Sequence, residues 1–171
     1  MRFALIASCI FALSYVAVAT PLDDYVAIDD GYFSYSYTGQ TRSGNGWDAY
    51  IWNMTSQKWL TSADVDRSVW RHWLVIVIPH SINMSNNAGL LYITGGGNEN
   101  PEGYPGSDGE DLLLTAELAV ASMTPAAVLY QVPNQPLRFP CDPWHKSRSE
   151  DAAIALTWWH FVHTHRSRTG Y

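Results

Sequence analysis

Cysteine is almost missing from this chain: among 171 residues only Cys9 and Cys141 carry a thiol, and Cys9 lies in an apolar leader. No intrachain disulfide framework can therefore hold the mature protein together, and Cys141 is a buried free thiol, half of an intermolecular bond, or half of a pair completed by another chain. Basic residues are also scarce, with 10 Lys and Arg against 16 Asp and Glu and a formal charge of −6. Without a basic cluster to neutralise phosphates, nucleic acid is excluded as a partner. There is no G-x-S-x-G, so the strained strand-to-helix turn that presents a serine nucleophile has no representative in the sequence. The histidines at 160, 163 and 165 lack an acid or thiol at ligand spacing, and a zinc site needs three or four ligands. No metal and no cofactor are expected.

The leader MRFALIASCIFALSYVAVAT has one cation at Arg2, an apolar stretch, and the small-x-small ending Ala17-Val18-Ala19. Residues 1–19 therefore read as a secretory signal peptide cleaved after Ala19, and Ser8, Ser14 and Tyr15 make the run poor and short for a bilayer span. Cleavage leaves 152 of the 171 residues, drops Arg2 and moves the charge from −6 to −7. One domain of modest size is expected, with no membrane span and a secreted, extracellular location; a lysosomal or other endomembrane lumen is the alternative. Asn53-Met54-Thr55 and Asn83-Met84-Ser85 are sequons, which makes Asn53 and Asn83 candidate glycan acceptors.

The chain is organised around Leu90 to Pro101, LLYITGGGNENP. A β-branched and aromatic run closed by Gly and Pro reads as a buried strand emptying into a loop. Gly95, Gly96, Gly97 and Asn98 form a loop whose N–H groups another molecule can approach. A Gly-rich turn after the third strand is where α/β-hydrolases build half of an oxyanion hole, and the same glycines also serve a plain strand-to-helix turn.

Elsewhere, residues 20–28 read as an extended segment. Tyr32–Tyr37 and Trp47–Asn53 read as paired antiparallel strands around a turn-rich stretch at 38–46, and the Trp-rich, charged segment 55–73 as a surface connection. Leu74–Ile78 is a continuous apolar strand, as expected when both faces are covered. Helices are predicted at about 108–123 and 149–162, each led by an S-x-x-E pair, Ser107 with Glu110 and Ser147 with Glu150. Their apolar stripes are Leu112, Leu113, Ala116, Ala119 and Val120 in the first, and Ala152, Ala155, Leu156, Trp159 and Val162 in the second. Ala126–Tyr130 is a third buried strand, and 132–143 is a Pro-rich loop. The order is antiparallel strands followed by βαβα, an α/β class with an incomplete sheet. Such a sheet leaves an open edge and an uncovered helix face.

The segments NMTSQKWLT (53–61), DVDRSVWRHWLVIVIP (64–79), LLYITGGGNENP (90–101), VPNQPL (132–137) and SEDAAIALTWWHFV (149–162) resemble the PhoPQ-activated pathogenicity-related protein family. The resemblance runs from about residue 20 to 162, which makes 20–162 the amino-terminal part of an α/β-hydrolase-like domain and 163–171 a divergent polar tail. It implies a longer parent with a serine-bearing nucleophile elbow beyond the second helix, and relatives regarded as secreted signals that restrain cell proliferation. No catalytic position of the family falls within this sequence.

Two constellations remain. Ser107 in PGSDGE has Pro105 where a nucleophile elbow has its first glycine. Cys141 has Asp142, His145 and Arg148 nearby, but no local signature of a Cys-His nucleophile surrounds them. The chain is therefore expected to be a non-catalytic binding or signalling protein whose partner is a cell-surface protein. The alternative is an inactive piece of a secreted serine hydrolase or peptidase whose full-length form is catalytic, and a chain that fails to fold is a third outcome.

Overall fold

The computed structural model describes residues 20–99 and 103–165, so the leader and the last six residues lie outside the described part. A six-residue helix, α1 (Pro21–Val26), stands where an extended segment was expected. Thr20 and Asp23 cap each other's backbone N–H groups, and Pro21 fits the first turn because it has no N–H to satisfy. Strands β1 (Ser34–Gly44), β2 (Trp47–Lys58) and β3 (Val69–Pro79) follow as an antiparallel meander.

These strands are longer than the sequence suggests. The turn-like stretch 38–46 is mostly strand: a bulge between Tyr37 and Thr41 absorbs Gly39 at φ 79°, and the reversal itself takes only Asn45 and Gly46. Gly46, at φ 84°, supplies the positive φ that a two-residue hairpin loop requires. The segment read as a connection is largely sheet as well, because Val69–Trp73 pairs with Asn53–Lys58.

Strand β4 (Leu90–Ile93), helix α2 (Glu110–Ser122) and β5 (Ala126–Leu129) form a parallel crossover. The five-stranded sheet has the order β1-β2-β3-β5-β4, antiparallel except for β4 with β5. The fold is thus mixed α/β with a mostly antiparallel sheet.

Its core lies between one face of the sheet and α2: Trp47, Ala49, Ile51, Val75, Val77 and Val128 meet Leu112, Ala116 and Ala119. Small residues at 116 and 119 let the helix approach closely, and Leu112 is the one large aliphatic anchor. Its truncation to Ala costs about 2–5 kcal/mol at a site of this kind. Along β3, Val75 and Val77 are buried while Leu74, Ile76 and Ile78 are half-buried, so one face is covered, not both. α2 starts at Gly109 with no side-chain cap. The expected Ser107–Glu110 box does not form because the helix begins after Gly109, leaving no side-chain oxygen at the cap position. Of the stripe expected on α2, Leu113 and Val120 face outward.

β4 was expected to be buried, yet it is a sheet edge with Leu91 55% and Ile93 56% exposed. Among the described residues only β5 pairs with it. The last elements are the short pair β6 (Leu137–Arg138) and β7 (Ser147–Arg148), then helix α3 (Glu150–His165). Ser147 is taken up in β7, and the Glu150 N–H donates to Gln135 Oε1 at 2.8 Å. α3 rests on a second, smaller cluster of Val65, Leu137, Phe139 and Leu156. Leu156 is the buried member of its expected stripe, while Trp159 and Val162 are exposed.

Candidate functional site

β4 and β5 are parallel, so the loops that leave them emerge at one end of the sheet, where open α/β sheets place ligand sites. Antiparallel β3 begins at that same end. The three segments are tied together. The Gln131 and Val132 N–H groups donate to the carbonyls of Gly95 (2.9 Å) and Thr94 (3.1 Å), and Asn98 N–H donates to Gln135 O at 2.5 Å. Gln131 Nε2 donates to Gly97 O at 3.0 Å, and Asn134 Nδ2 to Arg71 O at 2.6 Å. Arg67, just before β3, donates from Nη1 to Asn98 O at 2.8 Å. At the other side Thr94 donates to the Asp111 carboxylate in the first turn of α2 at 2.9 Å, where a negative group also suits the helix dipole. Gly96, at φ 122°, is the one loop glycine whose backbone demands that residue type.

These segments enclose a hollow of about 390 Å³. Arg67, Arg71, Asn53, Asn98, Asn134 and Tyr104 are among its walls, and among the described residues no Asp or Glu is. Tyr104 packs on Trp73 with ring centroids 4.9 Å apart. Asn98 is 5% exposed, and neither Nδ2 nor Oδ1 has a hydrogen-bond partner among the described residues. An unsatisfied buried polar group costs about 1–3 kcal/mol, so this amide is held against a penalty.

Of the four loop residues singled out in the sequence, Asn98 is among those that line this hollow, and Gly95, Gly96 and Gly97 are not. The N–H of Asn98 is committed to Gln135, while those of Gly96 and Gly97 donate to no described residue. Of the sequon asparagines, Asn53 is half-buried in β2 opposite Trp73 and lines the hollow. Asn83 is exposed in a turn and accepts from the Ser85 N–H at 3.1 Å.

One polar pair escaped sequence reading. Ser56 Oγ lies 2.9 Å from His72 Nε2, and His72 Nδ1 lies 3.0 Å from Tyr130 O. A carbonyl only accepts, so Nδ1 carries the proton and Nε2 accepts from the Ser56 hydroxyl. Burial pushes the His72 pKa down, against the opposing pull of the Tyr130 and Gln131 backbone. The ring is a neutral acceptor. Ser56 reaches it because it is the extra residue of a bulge between Thr55 and Gln57, a device that re-aims side chains. Nothing local links residues 56 and 72; only the cross-strand register does.

This has the form of a nucleophile beside a base; the base, His72, lines the same hollow as Asn98, but the hydroxyl-bearing Ser56 lines another. Ser56 opens on a separate hollow under α1, lined by Tyr25, Asp30 and Lys58, whereas the glycine-loop residue Asn98 lines the first. No carboxylate stands behind His72; its outer partner is a backbone carbonyl.

The other constellations resolve into structure. Buried Asp142 takes both Arg148 Nε and Nη2 at 2.9 Å and also accepts the N–H groups of Trp144 and Lys146. The Arg148 hydrogen bonds hold its carboxyl well below the usual carboxylate range. Asp142 thus staples the β6–β7 turn and is not available to orient His145. Cys141 is an exposed free thiol, so it is not the buried one. His163 Nδ1 donates to Trp159 O at 2.7 Å within α3. Among the described residues no group of three His, Cys, Asp or Glu could hold a metal, and no helix is long and apolar enough to cross a membrane.

A family model described as PhoPQ-activated pathogenicity-related protein matches residues 22–170. No curated protein and no solved structure matches the chain.

Proposed function

Because the chain belongs to the PhoPQ-activated pathogenicity-related protein family, we propose that it is a secreted, glycosylated, α/β-hydrolase-like binding or signalling module that acts by contact and breaks no bonds. The hydrolase-like reading draws on the order of elements: an antiparallel meander, then a parallel crossover whose first loop is the glycine loop. That is the position of the hydrolase oxyanion loop. Secretion and glycosylation draw on the leader and on the two sequons. The partner in this reading is a cell-surface protein.

One observation carries the non-catalytic reading. Ser56, whose hydroxyl a neutral histidine accepts, opens on one hollow, and the glycine-loop residue Asn98 lines another. Acyl transfer needs donors about 3 Å from the developing oxyanion beside the nucleophile. A fluorophosphonate probe, which reacts covalently with activated serines, tests this directly: the secreted chain should remain unlabelled.

A second reading has its own support. The open edge of β4, with apolar Leu90, Leu91 and Ile93 exposed, is a template for one more strand. On that reading the chain is an inactive piece of a secreted serine hydrolase or peptidase whose longer form is catalytic. Transcript sequence that continues past the codon for Val162 into a strand and a G-x-S-x-G turn would favour it.

A further inference from the structure

We infer that the hollow beside the glycine loop takes a small acidic sugar, a hydroxyl-rich ring bearing one carboxylate. The inference rests on reading that hollow as a binding site, and it names what is bound.

Charge comes first. In a chain of formal charge −6, two arginines line this hollow and, among the described residues, no acid does. Arg67 spends Nη1 on the Asn98 carbonyl, and the Arg71 guanidinium donates to no described residue. A guanidinium fork matches the two oxygens of a carboxylate, and a hollow lined by one sign of charge concentrates ligands of the other.

The amides come second. Asn98 lines the hollow with neither side-chain atom partnered among the described residues, and Asn53 and Asn134 stand in the same wall. A primary amide offers a donor and an acceptor side by side, and a hydroxyl needs both. An inorganic anion would accept from the arginines and the amide Nδ2 groups but offer the amide oxygens few donors. A neutral sugar would use the amides but bring no charge to the arginines. The aromatic wall is third: Tyr104, 43% exposed and packed on Trp73, offers an apolar face to the C–H side of a ring. At about 390 Å³ the space sits at the small end of ligand sites.

Asn53 adds a condition, since a glycan on its side chain would fill the hollow it lines. Thr55→Ala removes that sequon and leaves the Asn53 amide in place, so the secreted Thr55→Ala chain is the one to titrate. By calorimetry, glucuronate should bind at least about tenfold more tightly than glucose or inorganic phosphate. Adding Arg71→Gln, at an exposed position, should weaken glucuronate about tenfold, the weight of one charge-assisted bond, and leave glucose unchanged. Adding Asn98→Leu should weaken it while the protein stays folded. Equal binding of glucose or phosphate, indifference to both substitutions, or no heat with any of the three probes would overturn the inference. Absence of glucuronate binding in a chain that also resists fluorophosphonate sinks this inference alone, whereas covalent labelling sinks the non-catalytic reading.

Discussion

Arg67 and Asn98, 31 positions apart, are joined by a 2.8 Å hydrogen bond from the Arg67 guanidinium to the Asn98 main-chain carbonyl. This bond ties the loop before β3 to the glycine loop after β4, and it is made by a side chain that also lines the hollow. Arg67→Met should loosen the loop without touching the main core. Charged hydrogen bonds are worth about 1.5–3 kcal/mol when shielded; with Arg67 exposed, a loss nearer 1 kcal/mol is expected. Urea unfolding measures that loss, and hydrogen exchange should quicken at Asn98 while the amides of β3 and β5 stay protected.

Asn98 should show the opposite sign. Its amide is buried and has no partner among the described residues, so Asn98→Leu removes two polar atoms that make no bond there and supplies an apolar side chain of similar size. The variant should be about 1 kcal/mol more stable, or neutral, with its ligand binding weakened. A loss of more than about 1 kcal/mol in urea unfolding would mean that the amide already has its partners.

Much of the architecture was legible in the sequence, and the losses have physical causes. Ala126–Leu129 and the core of β3 were found because continuous apolar runs mark strands in the middle of a sheet. The crossover and the α/β class followed from them. Gly39, Ser43 and Gly44 looked like a turn, but pairing with β2 and a bulge at Gly39 override that preference. Val69–Trp73 looked like a charged surface segment because Arg71 and His72 interrupt it; in the sheet Arg71 faces outward and His72 is satisfied by Ser56 and Tyr130. The loop after β4 was legible from the apolar run before it and its three glycines. Its companions Arg67, Arg71, Asn134 and Tyr104 reach it through register and loop closure, which sequence spacing does not reveal.

Stability should fall in two stages as pH is lowered. The folded-state pKa of His72 lies below 6.5, so beneath that pH the unfolded chain takes up a proton that the folded chain resists. Folding is therefore weakened as pH drops from 6.5 toward the folded value. Asp142 is depressed below 3.8. Its contribution is complete above 3.8 and is lost as pH falls toward its folded pKa. Urea midpoints across this range should be flat above 6.5 and decline below it. His72→Gln should remove the first decline, whatever its own stability; an unchanged profile would exclude His72 as its source.

Glycan occupancy should differ between the two sequons. Asn83 is exposed in a turn, whereas Asn53 is half-buried within β2. Secreted protein should shift on endoglycosidase treatment, the shift should shrink most in Asn83→Gln, and it should vanish in the double variant with Asn53→Gln. A parent chain that migrates identically before and after treatment contradicts the glycosylated, secreted reading.

In the proposed reading this chain works by contact: Ser56 lines one hollow and the glycine-loop residue Asn98 another. Exposing the purified secreted protein to a fluorophosphonate probe and reading intact mass tests it most directly. An unchanged mass is expected. A stoichiometric adduct that disappears in Ser56→Ala would contradict it and make Ser56 and His72 a working nucleophile and base.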